Sequence, residues 1–198
     1  MTHSSGIRRY PISKEICARN NDVIAADIMS HDLDFEPGTE YLYSCAGMML
    51  LGFILEKIYK MTLDELYFVK IKHPLGIDRM RFNIAIDEKN AAVCYQRKEV
   101  GLRRMDDWTV VLLRNGVSGA GGSFWSIDAF NTIVKAIFNK DERLYSKEYF
   151  ELAEQKYCGH RGLGYEFDLM KGNVDLGDLF PEGSFGHNGW TGCTFFIN

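Results

Sequence analysis

The sequence predicts an α+β fold in one domain, with a mostly helical lobe over about 8–157 and a sheet part over about 160–198. Three observations carry this. Apolar residues recur at helical spacing in two long stretches, around 46–58 and 127–137. Cap residues stand before the helical stretches. The last forty residues change to short alternating runs entered through glycines.

The elements follow in order. Ser13 can cap a short helix from Lys14, and Asp22 a second one running to Met29, with Asn20-Asn21 as the break. Pro37-Gly38 is a turn signal, because proline pre-sets φ and glycine accepts a positive one. Ala46 to Leu55 carries no charge, and Met48, Leu51, Ile54, Leu55 and Ile58 lie at helical spacing. That helix is apolar nearly all round and is expected at the centre of the core, with Lys57 and Lys60 at its carbonyl end. Thr62-Leu63-Asp64-Glu65 reads as a capping box opening a helix that stops near His73-Pro74-Leu75-Gly76. Residues 77–117 mix charged and apolar residues without a period, so no element is assigned there. A glycine turn at 118–123 precedes a Ser126-capped helix over 127–138, whose face would hold Ile127, Phe130, Ile133, Val134 and Ile137. Ser146 caps a helix to about Gln155. Gly162 to Asp168 and Thr194 to Ile197 read as strands.

Composition narrows the function. A net charge of −4 and a pI near 5.7 argue against a nucleic-acid surface. No apolar run reaches membrane-span length, and Met1-Thr2-His3-Ser4 lacks the opening of a signal peptide. The five cysteines, Cys17, Cys45, Cys94, Cys158 and Cys193, have no metal-ligand spacing, so neither metal nor cofactor is expected. Their odd number and scatter favour a reducing, cytoplasmic compartment. Ser118-Gly119-Ala120-Gly121-Gly122-Ser123 has no Gly-Lys-Ser/Thr continuation and is not a phosphate loop.

The stretch from Phe35-Glu36-Pro37-Gly38-Thr39 through Tyr43-Ser44-Cys45 to Pro74-Leu75-Gly76 resembles the middle of the serine β-lactamase-like hydrolases. These include class C β-lactamases, D-alanyl-D-alanine carboxypeptidases and esterases. Their text there is a Pro-Gly-Thr turn, a Tyr-x-Asn motif, a helix with Leu-Gly and a Pro-Leu-Gly stop. Thr2-His3-Ser4-Ser5-Gly6-Ile7, the turn before Ser126, Gly162-Leu163-Gly164-Tyr165 and Gly186-His187-Asn188-Gly189 resemble further segments. The resemblance implies a helical lobe with part of an antiparallel sheet of the β-lactamase/transpeptidase-like fold, incomplete at both ends. Met1 then reads as an internal methionine of a longer ancestor.

What the resemblance implies for chemistry is acyl transfer through a serine, on a β-lactam, a D-amino-acid peptide or a small ester. Tyr43 matches the proton-shuttling tyrosine, and His187 the cationic or donor residue of the Lys-Thr-Gly strand. Cys45 stands where an asparagine binds the substrate amide. Asn188 and Gly189 line the same strand, and the N–H of Trp190 would be an oxyanion donor. No serine here is followed three positions on by lysine, so the Ser-x-x-Lys nucleophile motif is missing and the chain is expected to be inactive as written. Without that lysine, Tyr43 is expected to stay protonated. A Cys45 nucleophile paired with His187 would need a depressed thiol pKa. A non-catalytic binding or interaction module is the alternative. With an open sheet edge, the chain is expected either to pair that edge with another copy or to be a piece of a larger protein.

Overall fold

A computed structural model of the chain describes residues 1–9, 20–82, 89–104, 118–167, 181, 183–189 and 191–198. The chain forms two compact units. One comprises Met1–Arg9, Asp32–Gly47 and Phe130–Asn198; the other comprises Tyr10–His31 and Met48–Ala129.

In the second unit, α1 spans Asn21–Met29 and buries Ile24 and Ile28. Its cap is Asn20, whose side-chain oxygen accepts from the Val23 N–H at 3.0 Å, and not Asp22 as the sequence suggested. Asparagine is as good a cap as aspartate. Asp22 then sits in the first turn, where a negative charge suits the helix dipole, and pairs with Lys57 at 2.8 Å. The helix expected from Lys14 lies outside the described residues.

The long helix α2 spans Cys45–Tyr59. It is not buried all round. Ala46, Met49, Gly52 and Phe53 are buried, whereas Ile54 is 46% and Ile58 67% exposed. The absence of charge was therefore a poor guide to burial. The buried face is the one carrying a small residue, Gly52, where the Gly119 backbone approaches closely. Lys57 is in the last turn, but Lys60 lies beyond it with φ +53°.

Helix α3, Leu63–Tyr67, opens on the predicted capping box. The Thr62 hydroxyl accepts from the Glu65 N–H at 3.3 Å, and Glu65 accepts from the Thr62 N–H at 2.7 Å. The next five residues, Phe68–Lys72, form a π-helical turn before a last α turn, α4, His73–Leu75. Pro74 explains the widening, since its ring cannot sit over the carbonyl four residues back. Gly76 ends the helix at φ +65°.

Strands β1 (Met80–Arg81), β2 (Tyr95–Arg97) and β3 (Leu102–Arg104) lie in the stretch where the sequence showed no period. Strand β1 pairs antiparallel with β4, Phe124–Trp125. Strand β2 pairs with β3 in an exposed hairpin. Such short strands leave too little alternation to read. Helix α5, Ile127–Phe138, is capped by the Ser126 hydroxyl at 3.2 Å from the Ala129 N–H. Its buried residues are Ala129, Ile133, Ala136 and Ile137. Ile127, placed on the core face by spacing, is 76% exposed at the first turn.

In the first unit, α6 spans Lys147–Ala153, two residues shorter than expected, with Ser146 as cap and Phe150 fully buried. The sheet is three-stranded and antiparallel in the order β5 (Glu166–Phe167), β6 (Phe185–Asn188), β7 (Thr194–Ile197). The run from Gly162 contributes only two strand residues, because Arg161 to Tyr165 are folded into a turn. Asp168 lies outside the described residues. Gly186 lets β6 and β7 close: a Cβ there would lie 2.0 Å from the Phe195 carbonyl oxygen.

The amino-terminal segment and the Pro-Gly loop are also joined in this unit. The Gly38 N–H donates to the Ser4 carbonyl at 2.7 Å, Leu42 to His3 at 2.9 Å, and Asp34 to Gly6 at 2.8 Å. Ser44 caps α2, its hydroxyl accepting from the Gly47 N–H at 3.0 Å and donating to the Arg8 carbonyl at 3.1 Å. The Ser44 N–H donates to His3 Nδ1 at 3.1 Å. Burial, with Arg161, the chain amino group and His187 adding to it, pulls the His3 pKa from 6.5 down to about 4.

Two outcomes are expected. Gly186→Ala costs about 1–3 kcal/mol in urea unfolding, because the clash is with backbone; unchanged stability would contradict this packing. His3 is neutral in the fold and titrates normally when unfolded. Its contribution is therefore complete above pH 6.5 and lost as pH falls toward 4, by roughly 3 kcal/mol at most. His3→Asn keeps an acceptor and tolerates the positive φ of 56° at this position. Its stability should fall less steeply than wild type over that window, and parallel curves would rule the assignment out.

Candidate active site

Tyr43 is placed by the elements that flank it. It directly precedes the Ser44 cap, so its backbone is fixed to the head of α2. Its carbonyl accepts from Arg9 Nε at 3.2 Å. Its ring lies 4.2 Å from the His3 ring at an interplanar angle of 31°. Burial raises the phenol pKa, with the neighbouring Cys45 adding to this and Arg161 opposing it. Tyr43 is thus a protonated phenol at neutral pH and can donate a hydrogen bond.

Cys45, the first residue of α2, is accessible to solvent, but its thiol is partly desolvated and its pKa raised; the Tyr43 hydroxyl and Arg9 oppose the rise. A raised thiol pKa is the reverse of what a cysteine nucleophile needs. Cys45 carries no thiolate here.

His187 is on β6. Its Nδ1 lies 2.7 Å from the Asn188 carbonyl oxygen, so Nδ1 carries the proton and donates, and Nε2 of the neutral ring is an acceptor. Burial first, and then Arg161, lower its pKa, while Glu166 and the Asn188 carbonyl pull the other way. A neutral imidazole whose Nε2 is unprotonated can take a proton. The Asn188 side-chain oxygen accepts from the Thr194 hydroxyl at 3.1 Å across the β6–β7 ladder. Gly189 closes the hairpin, its N–H donating to the Cys193 carbonyl at 2.6 Å. Trp190, the expected oxyanion donor, lies outside the described residues.

Arg161 is common to both sides, and the motifs did not point to it. It is 4% exposed. Its guanidinium pairs with Glu166 and donates from Nε to the Tyr41 hydroxyl at 3.2 Å. The same group lies 5.2 Å from the centre of the Tyr43 ring and 5.7 Å from that of Tyr41. His160 completes the group, with Nε2 3.6 Å from Glu166 and its ring edge-on to Tyr41 at 5.0 Å. Arg161 acts electrostatically on Tyr43, His3 and His187 alike. Tyr43, His187 and Arg161 all lie in the first unit.

Sequence reading missed Arg161, Glu166, Tyr41 and His160, and saw His3 only as part of a motif. A buried arginine has no periodicity to reveal it. The one available signal was a charged pair, His160-Arg161, set among Gly159, Gly162 and Gly164.

Several serines of the described residues have structural roles. The hydroxyls of Ser5, Ser30, Ser44, Ser118, Ser126, Ser146 and Ser184 all make turn or cap hydrogen bonds. Among the described residues, no group of three or more His, Cys, Asp or Glu side chains could hold a metal ion, and no helix is long and apolar enough to cross a membrane.

Comparison with known proteins bears on what this arrangement belongs to. A protein of Escherichia coli O157:H7, provisionally named a D-alanyl-D-alanine carboxypeptidase, is 27% identical over 193 residues, covering 84% of this chain and 44% of that protein. This chain spans about half the length of the curated relatives it matches. FmtA from Staphylococcus aureus superposes with a TM-score of 0.73 at 19% identity, covering 100% of this chain and 53% of that one. The octameric penicillin-binding protein homologue from Pyrococcus abyssi superposes with a TM-score of 0.65 at 23% identity, covering 94% and 42%. Both carry the same mixed helix-and-sheet fold. The family model described as Beta-lactamase matches residues 1–198, and the chain therefore belongs to the beta-lactamase family of serine hydrolases.

Proposed function

We propose that this chain carries the tyrosine and histidine side of a serine acyl-transfer site. That site would act on amide or ester bonds of a β-lactam, a D-amino-acid peptide or a small ester through an acyl-enzyme. The observation that supports the reading is the Arg161 guanidinium 5.2 Å from the centre of the Tyr43 ring, beside its electrostatic effect on His187 of β6. Acyl transfer needs a proton donor and a proton acceptor beside the reacting carbonyl. A protonated Tyr43 and a neutral His187 with an unprotonated Nε2 are a matched pair for that work. Asn188 and Gly189 would form the strand wall against which substrate backbone lies, the Trp190 N–H would be an oxyanion donor, and Cys45 would touch the substrate at the position of the family asparagine.

Residues 1–198 contain no Ser-x-x-Lys, and the serines that make cap and turn bonds are committed to structure. On this reading the chain alone binds such substrates and does not acylate. A binding or interaction module is the second reading. It is favoured by Cys45, whose protonated thiol is a poor replacement for an amide that both donates and accepts.

Incubation with a fluorescent penicillin, read by intact-protein mass, should give no stoichiometric adduct. A stoichiometric adduct on any residue here would refute the inactive assignment. Equilibrium binding of the same compound should weaken about tenfold or more in Tyr43→Phe and in His187→Ala; binding indifferent to both would remove the site. Failure of the penicillin and of a D-alanyl-D-alanine peptide to bind at all would favour a module with another ligand.

We also propose self-association through the outer edge of β7, which among the described residues pairs with no strand on that side. Light scattering is expected to give at least twice the chain mass of 22.7 kDa, and a stable single-chain mass would exclude it.

A further inference from the structure

We propose that Arg161 is a positioning residue of the Tyr43 site: held by Glu166 and by the Tyr41 hydroxyl, its guanidinium lies against the Tyr43 ring and fixes where that phenol points. The inference takes the role of Tyr43 from the acyl-transfer reading above, but its geometry stands independently of any ligand.

A cation as buried as Arg161 is costly unless it is paired and hydrogen-bonded. Here it is both, and the pairing is local. The Arg161 N–H donates to the Cys158 carbonyl at 3.0 Å, and its own carbonyl accepts from the Tyr157 N–H at 2.8 Å. Residues 161 and 166 are bridged through their backbones. The guanidinium is thus clamped at its backbone, by Glu166 and by Tyr41, so it is a fixed support and not a mobile surface group. At 5.2 and 5.7 Å from two tyrosine ring centres it is within cation–π range of both. A tyrosine needed only to fill space would be served by apolar neighbours. This one rests on an imidazole and a guanidinium.

The electrostatic consequence follows from the placement. The groups facing Tyr43 are His3 from the amino-terminal segment, Tyr41 and Cys45 from its own segment, and Arg161 and Glu166 from beyond α6. Among the charged ones, Arg161 favours the phenolate and Glu166 disfavours it. Arg161 also favours the neutral forms of His3 and His187. One cation therefore biases the phenol toward giving its proton and the imidazoles toward the neutral form.

The test uses ligand-free protein. 3-Fluorotyrosine, whose phenol titrates at lower pH than tyrosine, is incorporated, Tyr43 is assigned by Tyr43→Phe, and its ¹⁹F resonance is followed against pH. His187 is followed in parallel by its ring carbon resonance. In Arg161→Met the Tyr43 phenol and the His187 ring should both titrate at higher pH than in wild type, and the Tyr43 ¹⁹F shift should move even below its titration. Arg161→Lys should restore the His187 titration, since the charge is kept. It should not restore the Tyr43 shift, since the flat guanidinium support is lost. Glu166→Gln is the second variant should the methionine protein not fold. It keeps the cation and removes its counter-charge, so both groups should titrate lower. A folded Arg161→Met or Glu166→Gln protein with wild-type Tyr43 and His187 curves overturns the proposal. Because no ligand is present, such a failure is distinct from failure to bind a penicillin or a peptide, which would count against the acyl-transfer reading instead.

Discussion

The hydrogen bond from the Ser44 N–H to His3 Nδ1 is the constraint on which the site rests. It joins the amino-terminal segment to the head of α2 at the one residue that also caps that helix. Ser44 is 1% exposed, so both its backbone and its hydroxyl must be satisfied from within. They are, by His3, Arg8 and Gly47. Tyr43 is the neighbour of a residue with no freedom left, and its backbone direction is set accordingly. The same bond requires His3 to be an acceptor, which means a neutral ring, and burial beside Arg161 keeps it neutral.

A second feature is the sign of the local field. The protein as a whole is acidic, yet the group at the centre of the candidate site is a buried guanidinium. Around it stand three imidazoles and two phenols, all of them groups that work by moving or sharing protons. Glu166 neutralises the cation without removing its directionality. The environment thus holds Tyr43 as a donor and His187 as an acceptor, and it holds Cys45 as a thiol. The chemistry proposed for such a set is proton transfer, and the raised Cys45 pKa does not favour a sulfur nucleophile.

Much of this was legible in the sequence. The Pro37-Gly38 turn could be read from residue chemistry, and it forms with the Thr39 N–H bonded to the Glu36 carbonyl at 3.1 Å and Gly38 at φ +86°. Cap signals at Thr62, Ser126 and Ser146 were equally direct, because a cap is a local hydrogen bond between a side chain and the next turn. Strand β6 was legible through the family resemblance of Gly186-His187-Asn188-Gly189, and β7 as a run of strand-forming residues. Burial was harder to read. Ile54, Ile58 and Ile127 look like core residues by spacing, and each is exposed, because which face of a helix is covered depends on what packs there. The π-helical turn before Pro74 could have been foreseen from that proline, since the steric conflict is local. Arg161 could not: its partners Tyr41 and Tyr43 lie more than a hundred positions away, and only the folded chain brings them beside it. The motifs drew attention to Tyr43 and His187, the residues proposed to move protons, whereas Arg161, proposed to position Tyr43, emerged from tertiary structure alone.

The central claim is that the Tyr43 hydroxyl and His187 Nε2 address one ligand space beside Arg161. A crystal structure of the chain with bound benzylpenicillin tests it most directly. The account predicts the ligand amide between those two atoms, alongside β6. A ligand bound elsewhere, or Tyr43 and His187 found on unrelated surfaces, would contradict it.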